Sequence, residues 1–384
     1  MRRTPFLMAL AVLALAADAA MAQEDAGLTF KSGAIELKFG GRIQVQAGTS
    51  TCDDFPVADD SKCAEQVPTS DLFRRRVRLS VEAKINDRID LKIEPDYNKV
   101  EEVGLKDAWG RFTFSNLARL KAGHFKRPFD EFTLVSSSQI LTIERPIAIR
   151  GLEELLVPSL GAATAAFDLA DRDIGVELSG STKEELFSYW VGVFTGNSDL
   201  KFQDTNAEKQ FIGRAQLKLD MAGMPFKLIG AAAATDAGYE TEQAGLQSRY
   251  YYDFEIYAEL GDFGGGPHVQ AGVVLGDNPL QNRAGEAIDL PAGDSFAEFW
   301  SWQAIGSWKI PVGDGDLALE PLFRITYGDP NSSLADDGAW GFTPGLQIFF
   351  YRRNRLALNW DIASYEEDGL RSENSFKAQI QFQF

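Results

Sequence analysis

The clearest pattern in the chain is a strict alternation of apolar and polar residues in short segments. The last eleven residues, NSFKAQIQFQF, place apolar side chains from Phe376 to Phe384 on one face and Ser, Lys and Gln on the other. The segment YYDFEIYAEL repeats the pattern, with Phe254 and Ile256 opposite Asp253 and Glu255. Successive side chains of a β-strand point to opposite faces, so this period of two predicts strands with one apolar and one polar face.

Segments of this kind recur along the whole chain and predict an all-β protein. An even number of antiparallel strands closes a barrel with both ends on one side of a membrane. Sixteen strands are predicted, at 35–48, 72–85, 88–98, 104–115, 119–127, 171–180, 186–196, 209–219, 226–235, 250–260, 267–276, 296–310, 316–328, 339–351, 355–365 and 374–384.

The connectors between these strands alternate between short turns and long acidic loops. That layout is typical of a transmembrane antiparallel β-barrel, whose apolar face meets lipid and whose polar face lines the lumen. A barrel of sixteen strands is wide enough for an aqueous channel. The alternative is a soluble β-sandwich, but its inner faces need apolar residues, and here the second faces carry charges and amides.

The longest connector, residues 128–170, is too apolar to extend freely into water. We call it the long connector. We predict that it folds into the lumen and narrows it. The alternative is that part of it, around Ala162–Asp168, forms another strand.

The chain begins with a basic pair, Arg2 and Arg3, then an apolar run and a small-residue site at Ala20–Ala22. This order predicts a secretory signal peptide at 1–22, cleaved after Ala22, followed by a single barrel domain at 23–384. The apolar run is shorter than the roughly 20 residues that a membrane-spanning helix needs.

Cys52 and Cys63 lie close together in an acidic stretch. In an oxidising compartment such a pair predicts a local disulfide. No histidine is near them in the sequence, so a metal site is a weaker interpretation.

Charge is distributed unevenly. The formal net charge is −18, yet FRRRVRLSVEAKI at 73–85 concentrates arginine. By the period of two, Arg74, Arg76 and Arg78 share the polar face and form a ladder down the lumen. Arg75 falls on the apolar face near the strand end, where its guanidinium is expected to snorkel to lipid headgroups.

Several motifs carry a resemblance to a known family: FRRRVRLSVEAKI, KIEPDYN at 92–98, LKDAWGRF at 105–112, LKAGHFKRPFDEF at 120–132 and ERP at 144–146. With these residues the chain resembles the phosphate-selective porins. The resemblance implies a trimeric sixteen-stranded outer-membrane channel of Gram-negative bacteria, with an inward-folded third extracellular loop. It implies that lumen arginines and lysines guide small anions such as phosphate, and that Phe384 is the signal read by the barrel-assembly machinery.

Other basic residues extend the proposed anion guide. Guanidinium groups stay charged and offer a planar fork that matches phosphate or carboxylate oxygens. The further candidates are Arg119, Lys121 and Arg127 on the fifth strand and Arg145 and Arg150 on the long connector, with Arg214, Lys218 and Arg324 as weaker additions.

Acidic residues on neighbouring strands leave a second outcome open. By their parity Asp90, Glu94 and Asp96 face inward from the third strand, and Asp107 from the fourth. If they neutralise the ladder, the pore is a weakly selective general porin for small hydrophilic solutes.

Other function classes are less well supported. A barrel plugged by the long connector, serving in structure or surface binding, is one alternative. An enzyme is not expected: only His124 and His268 offer a usual general base, and none of the nucleophile, zinc or nucleotide motifs is present. We predict no cofactor, metal or nucleic-acid partner. The surroundings are expected to be outer-membrane lipid and lipopolysaccharide, with the acidic loops as a solvated rim.

Overall fold

The computed structural model describes residues 28–51, 69–98, 103–149, 155–156, 158–196, 209–241, 245–263, 265–290, 292–313, 315–367 and 373–384. Within these ranges, no helix is both long and apolar enough to cross a membrane. The predicted signal peptide and its cleavage after Ala22 lie outside the described residues, as do Cys52, Cys63 and Arg150.

The chain folds into a closed antiparallel barrel of sixteen strands, because its first barrel strand pairs with the second on one side and with the last on the other. The barrel strands are β2 (Ile35–Thr51), β3 (Thr69–Lys84), β4 (Ile89–Asp96), β5 (Gly104–Ser115), β6 (Ala118–Lys126), β9 (Arg172–Ser181), β10 (Phe187–Phe194), β11 (Gln210–Met221), β12 (Met224–Asp236), β15 (Tyr250–Leu260), β16 (Gly266–Asn282), β17 (Phe296–Pro311), β18 (Ala318–Asp329), β19 (Ala339–Tyr351), β20 (Asn354–Tyr365) and β21 (Glu373–Gln383).

The remaining elements are short. Strand β1 (Thr29–Ser32) forms a hairpin with the start of β2. Two small ribbons pair β7 (Ala148–Ile149) with β8 (Leu155–Leu156) and β13 (Tyr239–Thr241) with β14 (Gly245–Gln247). The helical pieces are Glu131–Leu134, Leu160–Ala166 and the 3₁₀ turn Lys183–Glu185.

The sixteen predicted strands are confirmed in number and order, and β5, β15 and β19 have the predicted bounds. Strand β16 continues six residues beyond its predicted end, through a register irregularity between Asn278 and Asn282. Strand β1 was not among the predicted strands.

The barrel is apolar outside and polar inside. On β15, Phe254 and Ile256 are 50% and 59% exposed, whereas Asp253 and Glu255 are 0% and 3% exposed. This order is the reverse of a soluble protein, in which charged side chains are rarely buried. It excludes the sandwich, whose interior would be filled by the apolar faces.

A charge on the outer face should therefore destabilise the barrel according to its depth. We expect Ile256→Arg, at the centre of β15, to lower the free energy of unfolding by about 2–4 kcal/mol, and Leu260→Arg, at the strand end, by about 0–1 kcal/mol. Urea titration of protein folded into phospholipid vesicles measures both. Equal effects of the two changes would argue against a lipid-facing β15.

The terminal strand β21 has the predicted faces. Ser375, Lys377 and Gln381 are buried, and Phe376 and Phe382 are exposed. Beyond the strand, the backbone N–H and C=O of Phe384 each form a 3.2 Å hydrogen bond with Gly41 and continue the ladder that closes the barrel. Recognition of Phe384 by the assembly machinery stays a prediction.

The described residues of the long connector form no additional barrel strand. The alternative strand at 162–168 is wrong, because Leu160–Ala166 forms a helix there. Its sequence, LGAATAA, is rich in alanine, the residue with the highest helix propensity. Strand β6 also pairs directly with β9, from Arg119↔Ser179 to Lys126↔Arg172, so neither strand offers an unpaired edge at this point.

Apolar residues of the long connector pack against apolar side chains of the buried barrel faces. The cluster joins connector residues such as Phe129, Phe132 and Phe167 to strand residues such as Tyr257 and Phe299. Two ring pairs show the contact, Phe132 with Tyr257 at 5.2 Å and Phe167 with Phe299 at 4.6 Å between centroids. Burial of these side chains explains how a connector with so many apolar residues keeps them out of water.

The polar groups of the connector backbone are bound by side chains of the same buried faces. Asn359 Oδ1 accepts from the Ile143 N–H at 2.6 Å, and Gln347 Nε2 donates to the Leu141 carbonyl at 2.7 Å. Glu255 accepts from the N–H groups of both Asp130 and Glu131, at 2.9 and 2.8 Å. These bonds satisfy backbone groups that would otherwise be buried without partners. That the connector narrows the pore stays a prediction.

Candidate functional site

A cavity of about 630 Å³ lies between strands β2–β6 and β9 and the long connector. Ten of its lining residues are basic and three are acidic, so its wall is strongly positive although the chain as a whole is acidic. We call it the basic cavity. Its charged residues are Arg42, Arg75, Arg76, Arg78, Lys92, Glu94, Lys106, Asp107, Lys121, Lys126, Arg145, Asp171 and Arg172.

The arginine ladder is placed differently from the prediction at one position. Arg76 and Arg78 line the basic cavity, but Arg74 is exposed and does not. The pairing of β2 with β3 shifts by one residue, with Arg76 opposite Gln44 and Arg74 opposite Val45. Arg75 is the extra residue of this β-bulge, and an extra residue reverses the alternation beyond it. Arg74 therefore shares the outer face with Val45.

The same bulge turns Arg75 inward. Its Nε and Nη2 donate to the two carboxylate oxygens of Glu144 at 3.1 and 2.9 Å. Such a bidentate pair is among the stronger hydrogen-bonded arrangements in proteins. The expectation that Arg75 snorkels to lipid headgroups is therefore wrong, because the residue is bound to the long connector instead.

A second bulge brings another cation to the basic cavity. Between β4 and β5, Glu94 pairs with Asp107 and Pro95 with Leu105, which leaves Lys106 as the extra residue. Proline cannot donate to a ladder, and strand prolines are often found at bulges. Lys106 lines the cavity together with Asp107, its neighbour in sequence.

The acidic residues neutralise part of the ladder. Arg78 Nε is 2.7 Å from Asp96, and Arg42 is 2.9 Å from Glu94. Asp107 binds Arg172 at 2.7 Å. A further pair, Asp90 with Arg111 at 2.9 Å, completes the set, so each of the four predicted acids has a basic partner.

Other cations of the basic cavity have no carboxylate partner. In the described part of the chain, no acidic group lies within salt-bridge distance of Lys106, Lys126 or Arg145. Lys126 Nζ donates to the carbonyls of Thr133 and Leu134, at 2.5 and 3.1 Å. These carbonyls are at the C-terminal end of the helix Glu131–Leu134, where backbone dipoles favour a cation.

Arg145 is held at the same place, by the carbonyls of Phe132 and Val135 at 3.1 and 2.7 Å. Burial lowers the pKa of Arg145 to about 10, so it is charged at neutral pH. Burial opposes ionisation of Asp171, but the nearby cations outweigh it, above all Arg172, and they lower the pKa of this carboxyl. The cavity is thus electropositive at its connector side.

A second group of predicted residues lies beside the basic cavity. Arg119, Lys121, Arg214 and Lys218 line a cavity of about 390 Å³. Lys121 and Lys126 line both cavities, so the two adjoin. Most of these cations are paired there: Lys121 with Glu177 at 2.9 Å, Lys218 with Glu185 at 2.5 Å, and Arg214 with Glu131.

A third cavity, of about 940 Å³, adjoins the basic cavity through Arg42, Lys92 and Glu94. It lies at the end of the barrel where the short turn of Arg352 and Arg353 joins β19 to β20. Here too the basic residues outnumber the acidic ones, six to three. The positive wall therefore continues from the basic cavity toward the short-turn end of the barrel.

Two predicted residues hold the long connector and line none of these cavities. Arg127 is fully buried and donates to Asp168 and the Ala170 carbonyl, both at 2.6 Å. Arg324 is also fully buried and donates to the carbonyls of Glu144 and Arg145, at 3.0 and 2.7 Å. The structure therefore differs from the prediction that they belong to the anion guide.

Besides Arg75, which was assigned to the outer face, sequence reasoning missed five basic residues of the cavity: Arg42, Lys92, Lys106, Lys126 and Arg172. Arg42 has the parity of the buried Gln44 and Gln46, and Lys92 has that of Glu94. The period of two was enough to find both. Lys106 carried no such signal, because the bulge that turns it inward is a property of the strand pairing.

The histidines show no catalytic arrangement. His268 is 2.7 Å from Glu259 through Nε2, and it is buried. In the described residues, no serine or threonine hydroxyl is hydrogen-bonded to either His124 or His268. The same part of the chain holds no cluster of three or more metal-ligating side chains.

Comparison with known proteins supplies the family. A sequence model of the family described as phosphate-selective porin O and P matches residues 45–236, which is half of the chain and includes both bulges and the long connector. The chain belongs to this family of porins. It is an outer-membrane, multi-pass β-barrel porin, and its family and fold are those of a channel and not of an enzyme.

Solved structures of other outer-membrane proteins share the barrel of this porin. OprB of Pseudomonas putida has a TM-score of 0.61 at 10% identity, over 91% of this chain and 94% of its own. The outer-membrane channel DcaP of Acinetobacter baumannii has a TM-score of 0.58 at 14% identity, over 92% and 99%. OmpT of Vibrio cholerae, in a trimer form, has a TM-score of 0.58 at 12% identity, over 91% and 100%. A comparison with curated protein sequences finds no match.

Proposed function

We propose that this porin gives passive diffusion of small anions, phosphate among them, through the basic cavity. The proposal rests on one observation: ten basic residues and three acidic residues line the cavity. A low-dielectric cleft lined by one sign of charge concentrates ions of the opposite sign. Several sites of moderate strength in succession let an ion both enter and leave, as conduction requires.

The acidic net charge of the chain does not oppose this function. Among the charged residues that line the three cavities, basic ones outnumber acidic ones, while acidic residues such as Asp336 and Glu367 are exposed in the connectors. Screening at physiological ionic strength limits the reach of exposed charges to about 8 Å. An ion in the lumen therefore responds mainly to the residues that line it.

We further propose that the long connector sets the width of the pore. Lys126 and Arg145 donate hydrogen bonds to carbonyls at the C-terminal end of its helix Glu131–Leu134. Both cations line the basic cavity. A homotrimer is proposed from the family and from the trimer form of the similar OmpT.

The competing function is a weakly selective general porin. The pairing of Arg78 with Asp96 and of Arg172 with Asp107 favours it.

A salt gradient across a planar bilayer tests anion preference. We expect a reversal potential of the sign given by chloride permeation, and we expect added phosphate to reduce the chloride current. A reversal potential of the opposite sign, given by cation permeation, would overturn the anion preference. A reversal potential near zero would favour the general porin. No current through correctly folded trimers would support a plugged barrel.

The ionic-strength dependence gives a second measure. The Debye length falls from about 10 Å at 0.1 M salt to about 3 Å at 1 M. We therefore expect the anion-to-cation permeability ratio to decrease as the mean salt concentration rises at a fixed gradient. A ratio independent of salt would mean that pore size, and not the charge of the wall, determines permeation.

A further inference from the structure

The basic cavity has an apolar surface as well as a cationic one. Trp109 and Phe125 contribute it from strands β5 and β6, and Leu134, Pro146 and Ala165 from the long connector. Water next to such a surface is released favourably when an apolar group replaces it. The lining therefore offers more than a path for a hydrated inorganic ion.

Trp109 is the central residue of this apolar surface. It is partly exposed, and the Arg111 guanidinium and the Lys121 ammonium lie 5.8 and 5.9 Å from its ring centroid. Lys121 is also 3.9 Å from the centroid of Phe125. Cations beside an aromatic face are attracted by its quadrupole, so the site holds positive charge and aromatic surface at the same place.

A phosphate ion uses only half of this arrangement. All its oxygens are hydrated, and apolar groups cannot replace the hydrogen bonds to water that it loses on entering. An aromatic carboxylate can use both the cationic and the apolar surface. Its carboxylate can bind Lys106, Lys126 or Arg145, which have no acidic partner in the described residues, while its ring stacks on Trp109.

We propose that, among the small anions that the pore admits, the basic cavity binds organic carboxylates with a flat apolar ring more tightly than inorganic phosphate. The proposal rests on the proposed function, because it requires that anions pass through this cavity. Trp109 is its specificity-determining residue.

Block of chloride current in the unmodified protein tests the ligand class. Benzoate, acetate and cyclohexanecarboxylate carry the same single charge, and inorganic phosphate is the fourth blocker. We expect half-block by benzoate at a concentration roughly tenfold below that of acetate, because a good aromatic contact contributes about that factor. Benzoate should also reach half-block at a lower concentration than phosphate. The half-block concentration of cyclohexanecarboxylate should lie between those of benzoate and acetate. Equal block by acetate and benzoate, or stronger block by phosphate, would overturn the proposal.

Variants of Trp109 test the site. We expect Trp109→Gln to remove most of the difference between benzoate and acetate, and Trp109→Phe to retain much of it. Trp308→Gln is the matched control, because Trp308 is 58% exposed on the outer face of β17. A benzoate preference that survives Trp109→Gln, or that Trp308→Gln removes equally, would place the aromatic contact elsewhere and contradict the assignment.

The two proposals fail in different measurements. A cation-selective reversal potential in the unmodified protein contradicts the proposed function. An anion-selective potential combined with equal block by benzoate and acetate contradicts only the preference for aromatic carboxylates. The control variant Trp308→Gln should leave the sign of the reversal potential unchanged, because Trp308 is on the outer face and the substitution alters no charge.

Discussion

Arg172→Glu is expected to weaken the anion preference of the channel strongly. Arg172 lines the basic cavity, 2.7 Å from Asp107 and 3.1 Å from Asp171. The substitution changes the local charge by two units and leaves three carboxyl groups together. Two unit charges 4 Å apart interact by about 1 kcal/mol in water and by more in a cleft, so a roughly tenfold or greater loss in permeability ratio follows. The gradient-driven reversal potential measures it.

The matched control is Arg283→Glu. Arg283 is exposed and pairs with the exposed Glu298 at 3.1 Å, outside the lining of the three cavities. The change in total charge is the same, but its effect on the reversal potential should be small because the surface site is screened. Similar shifts for both variants would mean that the overall charge of the protein, and not the basic cavity, determines selectivity.

Glu255→Gln should produce a noisier channel with a higher mean conductance. The Glu255 carboxylate accepts the N–H groups of Asp130 and Glu131, where the helix of the long connector begins. Glutamine keeps one oxygen and turns an NH₂ group toward the second N–H. Loss of one hydrogen bond to a charged group weakens docking by roughly 1.5–3 kcal/mol, which lowers the docking equilibrium constant roughly tenfold to a hundredfold. Single-channel recording resolves the resulting current fluctuations.

Glu320→Gln is the control for this effect. Glu320 is equally buried on the inner face of β18, but it accepts from Ser307 on the neighbouring strand. Its substitution should leave the conductance and the noise near those of the unmodified protein. A quiet Glu255→Gln channel with unchanged conductance would contradict the proposal that the long connector, held by Glu255, sets the pore width.

Much of the architecture follows from alternation alone. A period of two in Tyr250–Leu260 specifies both the strand and the face that meets lipid, because a charged residue facing lipid is strongly unfavourable. Parity also placed Arg76, Arg78, Glu94 and Asp107 inside the barrel. The pattern is reliable wherever the ladder between two strands is regular.

The candidate site depends on features that alternation does not encode. The bulge at Arg75 exchanges the faces of Arg74 and Arg75, and it is visible only in the pairing with Gln44 and Val45. Whether Arg127 and Arg324 line the lumen depends on where the long connector packs. Both have the residue type of an anion guide, but their guanidinium groups bind connector carbonyls and the carboxylates of Asp168 and Asp361.

The β-bulges at Arg75 and Lys106 also bear on how such a channel can evolve. A substitution on an inward position changes one charge, but an inserted or deleted codon at a bulge adds or removes a lumen charge while the lipid-facing residues on either side keep their identity. Each bulge sits in a ladder whose flanking pairs are regular, so its effect on register is local. The charge of the lumen is therefore open to change by single-codon insertions and deletions, which in a regular strand would move the side chains beyond them to the other face.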